Sequence, residues 1–97
     1  MTSKQRAYLR GLGSTLDPIF QIGKSGITPE ICSAVEDALE NRELIKVAVL
    51  KNCPYDTRDL SDMLSERTRS ECVQTIGKKF VLYKKSKKNP KIVLPKE

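Results

Sequence analysis

The 97-residue chain contains no histidine and no tryptophan, three cysteines, and only 5% aromatic residues. Without histidine, Ser-His-Asp and Cys-His catalysis, histidine-ligated metals and a histidine pH switch are excluded. Cys32, Cys53 and Cys72 are odd in number and widely spaced. They suggest neither a disulfide framework nor a CxxC redox or zinc site, and read as reduced, small buried hydrophobes. No stretch approaches about 18 consecutive apolar residues, so no segment is expected to span a bilayer as a helix. The opening Met1-Thr2-Ser3-Lys4-Gln5-Arg6 has no apolar core of the kind a secretory signal carries. These absences predict a cytoplasmic protein with no membrane partner. Acidic pairs such as Asp59 and Asp62, or Glu36 and Glu40, fall on helix faces with no second catalytic group beside them. The expectation is therefore no enzyme, no cofactor, no metal site and no small-molecule substrate.

What is present suits one compact domain over residues 1–97: 38% hydrophobic residues for a modest core, 31% charged, net charge +6. The charge is unevenly placed. Residues 1–27 hold Lys4, Arg6, Arg10 and Lys24 against Asp17, net +3. Residues 28–76 hold six basic and ten acidic side chains, net −4. Residues 77–97 hold eight lysines against Glu97, net +7, most of it in a basic segment over 84–97. Basic ends around an acidic middle would attract a polyanion if the ends meet in space. A solvated lysine tail without a partner is the plainer alternative.

Local patterns give an α-β-α-β-α-β-β order. Thr2-x-x-Gln5 matches a capping box for a helix over about 4–12, with Arg6 and Arg10 on one face. Pro18 to Ile22 reads as a short strand. Thr28 with Pro29 starts a second helix whose apolar positions run through Ile31, Val35, Ala38 and Leu39. Leu44 to Leu50 is a strand with Ile45, Val47 and Val49 on one face and Lys46 on the other. Asp56 is expected to cap a third helix, with Leu60, Met63 and Leu64 as its buried stripe and Tyr55 stapling onto Leu60. Cys72 to Ile76 and Lys79 to Tyr83 form a hairpin around Gly77-Lys78, of type II′ by the glycine position. Lys91 to Leu94 is expected to return as a short extended segment. Two crossovers and a closing hairpin predict a mixed four-stranded sheet with the second and third helices on one face. The pattern leaves the place of the first helix open.

Gly23-Lys24-Ser25-Gly26 admits three readings. It matches the tail of the NTPase phosphate loop, but Pro18 stands where the first glycine belongs, and Ile19, Phe20 and Ile22 precede it as a strand. It is also ordinary turn punctuation before a helix. Third, a GxxG loop lets a chain approach a sugar-phosphate backbone closely, as in KH domains. The helix starting after Thr28 would then offer free N–H groups, Lys24 a charge and Ser25 a hydroxyl, with Glu30 opposing. Tyr83 is a candidate for stacking on a base, though a core position is the commoner use of such a tyrosine.

The order of several motifs resembles the CRM domain family, typified by the small bacterial YhbY proteins. It is carried by Ser3-Lys4-Gln5-Arg6-Ala7-Tyr8-Leu9-Arg10-Gly11-Leu12, Ile22-Gly23-Lys24-Ser25-Gly26-Ile27-Thr28, Ala38-Leu39-Glu40, Glu43-Leu44-Ile45-Lys46-Val47, and Val73 through Tyr83 followed by Pro95. The segment around Asn52-Cys53-Pro54-Tyr55 and the lysine-dense tail depart from it. The resemblance implies a fold similar to the C-terminal domain of translation initiation factor 3, and RNA binding at the GxxG loop. It also implies association with precursors of the large ribosomal subunit. The expected RNA-binding residues are Gly23, Lys24, Ser25 and Gly26, widened by Lys4, Arg6 and Arg10 and by Lys78, Lys79, Lys84, Lys85, Lys87 and Lys88. A monomer is expected. The alternative is an adaptor whose acidic helix face, Glu30 to Glu43, docks a basic ribosomal protein.

Overall fold

A computed structural model describes residues 1–96; Glu97, the last residue of the expected basic segment, lies outside the described residues. The elements are α1 (Ser3–Gly13), β1 (Phe20–Ile22), α2 (Pro29–Arg42), β2 (Leu44–Val49), α3 (Thr57–Thr68), β3 (Glu71–Ile76) and β4 (Lys79–Tyr83). One sheet runs β1-β2-β4-β3, with β1 parallel to β2 and the remaining pairs antiparallel. The predicted α/β class, element order and mixed four-stranded sheet are those observed.

Side-chain alternation on the strands splits the interior into two layers. Ile45, Val47 and Val49 of β2, with Phe80 and Leu82 of β4, pack under α2 and α3 against Val35, Leu39, Leu60 and Leu64. Leu44, Val73, Val81 and Tyr83 face the opposite way and are covered by Leu9 of α1. The place of α1, left open by the pattern, is thus across the second sheet face. There Leu9 is fully buried, and Gly13 lies so close that an added Cβ would stand 3.1 Å from Val81. The helix is started by the predicted capping box: Thr2 Oγ1 accepts from Gln5 N–H, and Gln5 Oε1 accepts from Thr2 N–H, both at 3.1 Å. Ile92 and Leu94 extend this second layer, and Gln5 donates to the Pro95 carbonyl, so the two chain ends meet beside α1.

Four expectations need correction. The first strand is Phe20–Ile22, two residues shorter than read, because Pro18 has no N–H for the ladder and Ile19 gives only its N–H, to Lys46. Met63 is 42% exposed, because α3 turns only Leu60, Ser61 and Leu64 inward at this level. Asp56 occupies the N-cap of α3 without a side-chain capping bond among the described residues. Tyr55 is 52% exposed, its ring lying over Gly26. Residues 91–94 do return beside α1 without joining the sheet, their start held by a carboxylate described below. The cysteines are free, Cys53 buried and Cys32 and Cys72 packed against the first layer.

Candidate nucleic-acid interface

Strand β2 organises the loop end of the molecule. It runs parallel to β1 and antiparallel to β4, so the Gly23–Gly26 loop, the 50–55 connection and the Gly77-Lys78 tip all emerge at its far end. Backbone bonds fix them there. Leu50 N–H donates to the Ile22 carbonyl at 2.9 Å, and Val49 N–H donates to the Lys78 carbonyl at 2.7 Å. Lys24, Lys51 and Lys78 are therefore carried by three neighbouring loops, all exposed. Helices α2 and α3 also begin at this end, adding two positive dipole ends. Glu30, Asp56 and Asp59 in or beside their first turns partly offset that field.

The Gly23–Gly26 segment is a turn closed by Gly26 N–H on the Gly23 carbonyl at 3.1 Å. Gly26 has φ +67°, where a side chain is strained, and an added Cβ would stand 2.8 Å from Tyr55 Cε2. Glycine is required there on both counts. Lys24 and Ser25 sit at the tip, exposed. Thr28 caps α2, its Oγ1 accepting from Ile31 N–H at 3.2 Å.

The expected basic residues divide into three groups. Lys78 and Lys79 join the loop end. Lys79 pairs with Ala48 on the sheet face shared by Lys46; Lys79 is exposed, whereas Lys46, opposite Val81 beneath α1, is half-buried. Lys4 and Arg10 are exposed on α1, whereas Arg6 is held by the chain itself, donating to the Cys72 carbonyl and pairing with Glu71 at 3.2 Å. Lys84, Lys85, Lys87 and Lys88 lie at the opposite end of β2, where Tyr83 pairs with Leu44. The length of β2 alone separates the two ends by about 17 Å.

That second basic segment is tied to α2. Glu43 is fully buried; its carboxylate accepts from Ser86 N–H (2.8 Å), Lys91 N–H (2.5 Å) and Ile92 N–H (2.7 Å). Burial pushes the Glu43 carboxyl pKa up, but the donors from Ser86, Ile92 and Lys91, with the charge of Lys85, outweigh it and hold the group below the ordinary carboxylate value. Glu40 accepts from the Ser86 hydroxyl and from the N–H groups of Lys87 and Lys88; these bonds, Ser86 first, lower its pKa too. Two members of the acidic face suggested for a basic partner are thus turned onto the chain's own lysine segment, leaving Glu30, Glu36 and Asp37 exposed. Tyr83 is buried, and burial followed by the Glu43 charge raises its phenol pKa; it offers no stacking surface. The sequence reading missed Lys51 and Tyr55 as members of the loop end. Their place follows from the backbone bonds at the end of β2 and from the packing of Tyr55 on Gly26.

Residues 1–84 match the CRS1 / YhbY (CRM) domain family. Over 95 residues the chain is 48% identical to "Probable RNA-binding protein YqeI" of Bacillus subtilis, covering 98% of this chain and 99% of the relative. A Haemophilus influenzae protein named "RNA-binding protein" is 36% identical, covering 100% and 97%. The solution structure of SAV1595 from Staphylococcus aureus superposes with TM-score 0.82 at 54% identity, over 98% of this chain and 99% of that one. With this fold, this motif order and these relatives, the chain belongs to the CRS1/YhbY (CRM) domain family.

Proposed function

We propose that this protein is a non-catalytic RNA-binding module that contacts structured ribosomal RNA during assembly of the large ribosomal subunit. The observation that carries the reading is the convergence of Lys24, Lys51 and Lys78 on three loops fixed to the end of β2, beside the starts of α2 and α3. Relatives named as RNA-binding proteins support RNA as the polyanion. The family resemblance supports the ribosomal setting. Phosphates lie along the Gly23–Gly26 turn, with Lys24 supplying charge and Ser25 a hydroxyl donor. Lys79, exposed beside the hairpin tip, extends the contact. Lys85, Lys87 and Lys88 form a second patch that a long RNA reaches along β2, whereas the Lys84 ammonium donates to the Thr68 carbonyl at 3.1 Å. Specificity comes from RNA shape more than from base edges in paired regions.

The test is sedimentation of a cell lysate through a sucrose gradient, for the wild type and for Lys24→Glu. The expected result is comigration with large-subunit precursors, lost in the variant. Comigration retained by the variant would refute the loop assignment. Wild-type protein staying at the top of the gradient would refute the ribosomal setting.

A further inference from the structure

We propose that the cleft between the Gly23–Gly26 turn and α3 receives one unpaired nucleobase, stacked on Tyr55. The inference rests on the RNA reading above and names the kind of nucleotide the same surface selects. The cleft has a volume of about 290 Å³. That is just below the roughly 300–1,000 Å³ of pockets for drug-sized ligands, and suits a single planar ring system. Ile27, Tyr55, Leu60 and Met63 give it apolar wall, and Asp59 and Arg67 add charged groups. Ser25 from the tip of the turn lines it too, so the cleft is continuous with the surface proposed for the phosphates.

Charge decides which part of a nucleotide enters. Asp59 and Arg67 both line the cleft, so it offers no net positive charge to draw in a phosphate, while Lys24, exposed on the turn, does not line it. The uncharged base therefore goes in, and its phosphates stay on the lysine side. Asp59 can accept from a base amino or imino group, and Arg67, two helical turns further along α3, can donate to a base carbonyl. Neither is held in an ion pair among the described residues. Met63 lies between them at the same helical spacing, which accounts for an apolar side chain left 42% exposed.

Tyr55 suits a stacking platform. Phe80 and Tyr83 are buried in the two layers, whereas Tyr55 is 52% exposed beside the turn. Its ring is seated against Gly26, where no side chain fits, so the platform is positioned before RNA arrives. Unpaired bases in loops and bulges are the usual targets of such aromatics, and a base inside a duplex cannot reach one.

The test measures affinity for two RNAs by fluorescence anisotropy: a stem-loop with an unpaired loop, and its stem closed as a blunt duplex. Wild type, Tyr55→Ala, Tyr55→Phe and Lys24→Glu are compared. Tyr55→Ala is expected to weaken stem-loop binding roughly 5- to 150-fold, the range for losing one stacked base, with the salt slope unchanged. Duplex affinity should stay at the wild-type level in that variant, and Tyr55→Phe should bind both RNAs as the wild type does. Wild-type affinity of Tyr55→Ala for the stem-loop would overturn the inference, as would an equal loss on both RNAs, while wild-type binding itself keeps the RNA reading standing. Wild-type protein that binds neither RNA overturns both.

Discussion

Replacing Glu43 by glutamine removes one charge and one acceptor from a site with no exposure to solvent. In the native protein one carboxylate oxygen accepts from Ser86 N–H, and the other accepts from Lys91 and Ile92 N–H. A glutamine keeps one oxygen and puts an NH2 group in place of the other. At least one backbone N–H then faces a donor, an orphan worth about 1–3 kcal/mol, and the surviving bonds drop from the charged to the neutral class, each losing about 1 kcal/mol. Taking the low end for the orphan and two surviving bonds, the sum is about 3 kcal/mol. For a domain of this size that corresponds to a fall in melting temperature of roughly 12–24 °C. The assay is urea and thermal unfolding of Glu43→Gln beside the wild type, with hydrogen exchange at Ser86, Lys91 and Ile92. If only the lysine segment detaches, those amides lose protection before the sheet does. A stability change below about 1 kcal/mol with exchange protection intact would refute the claim that this carboxylate holds the segment.

Acid should act through the same groups. Glu40 and Glu43 both titrate below the ordinary value of 4.5 in the folded chain, so their contribution is complete above that value and is lost as pH falls through the lowered folded values. The acid limb of an unfolding titration should accordingly be flatter in Glu43→Gln than in the wild type. Leu9→Ala should cost about 2–5 kcal/mol in urea unfolding, because Leu9 is the fully buried side chain by which α1 closes the second layer. Two glycines with open space around them should respond oppositely to alanine. Gly11→Ala, inside α1, should stabilise by about 0.5–1 kcal/mol; Gly77→Ala, at φ +57° in the hairpin, should destabilise by about 1–2 kcal/mol. Thermal melts of the pair check both signs.

The elements were legible where local chemistry dictates them. Thr2 with Gln5, and Thr28 with Pro29, announced two helix starts that the structure reproduces. Gly77 carries the positive φ that a type II′ turn asks of its first central residue. What stayed illegible depends on contacts distant in the chain. Nothing local to Leu9 says that it lies on Leu44 and Val81. Nothing local to Glu43 says that its carboxylate accepts bonds from residues more than forty positions away. The site divides on the same line. The Gly23–Gly26 turn could be read directly, but its neighbours Lys51 and Tyr55 follow from the backbone bonds at the end of β2 and from the Gly26–Tyr55 packing. Whether the basic segments converge was likewise not readable locally: the antiparallel run of β4 carries Lys79 and Lys84 to opposite ends of the sheet.

The most direct test of the central claim is the salt dependence of RNA affinity for wild type and Lys24→Ala, read with a structured ribosomal RNA fragment. If Lys24 at the tip of the turn meets a phosphate, the variant binds more weakly at low salt, the gap closes as salt rises, and the steepness of log K against log salt falls by roughly 0.7–0.9. An unchanged slope and unchanged affinity would contradict the account.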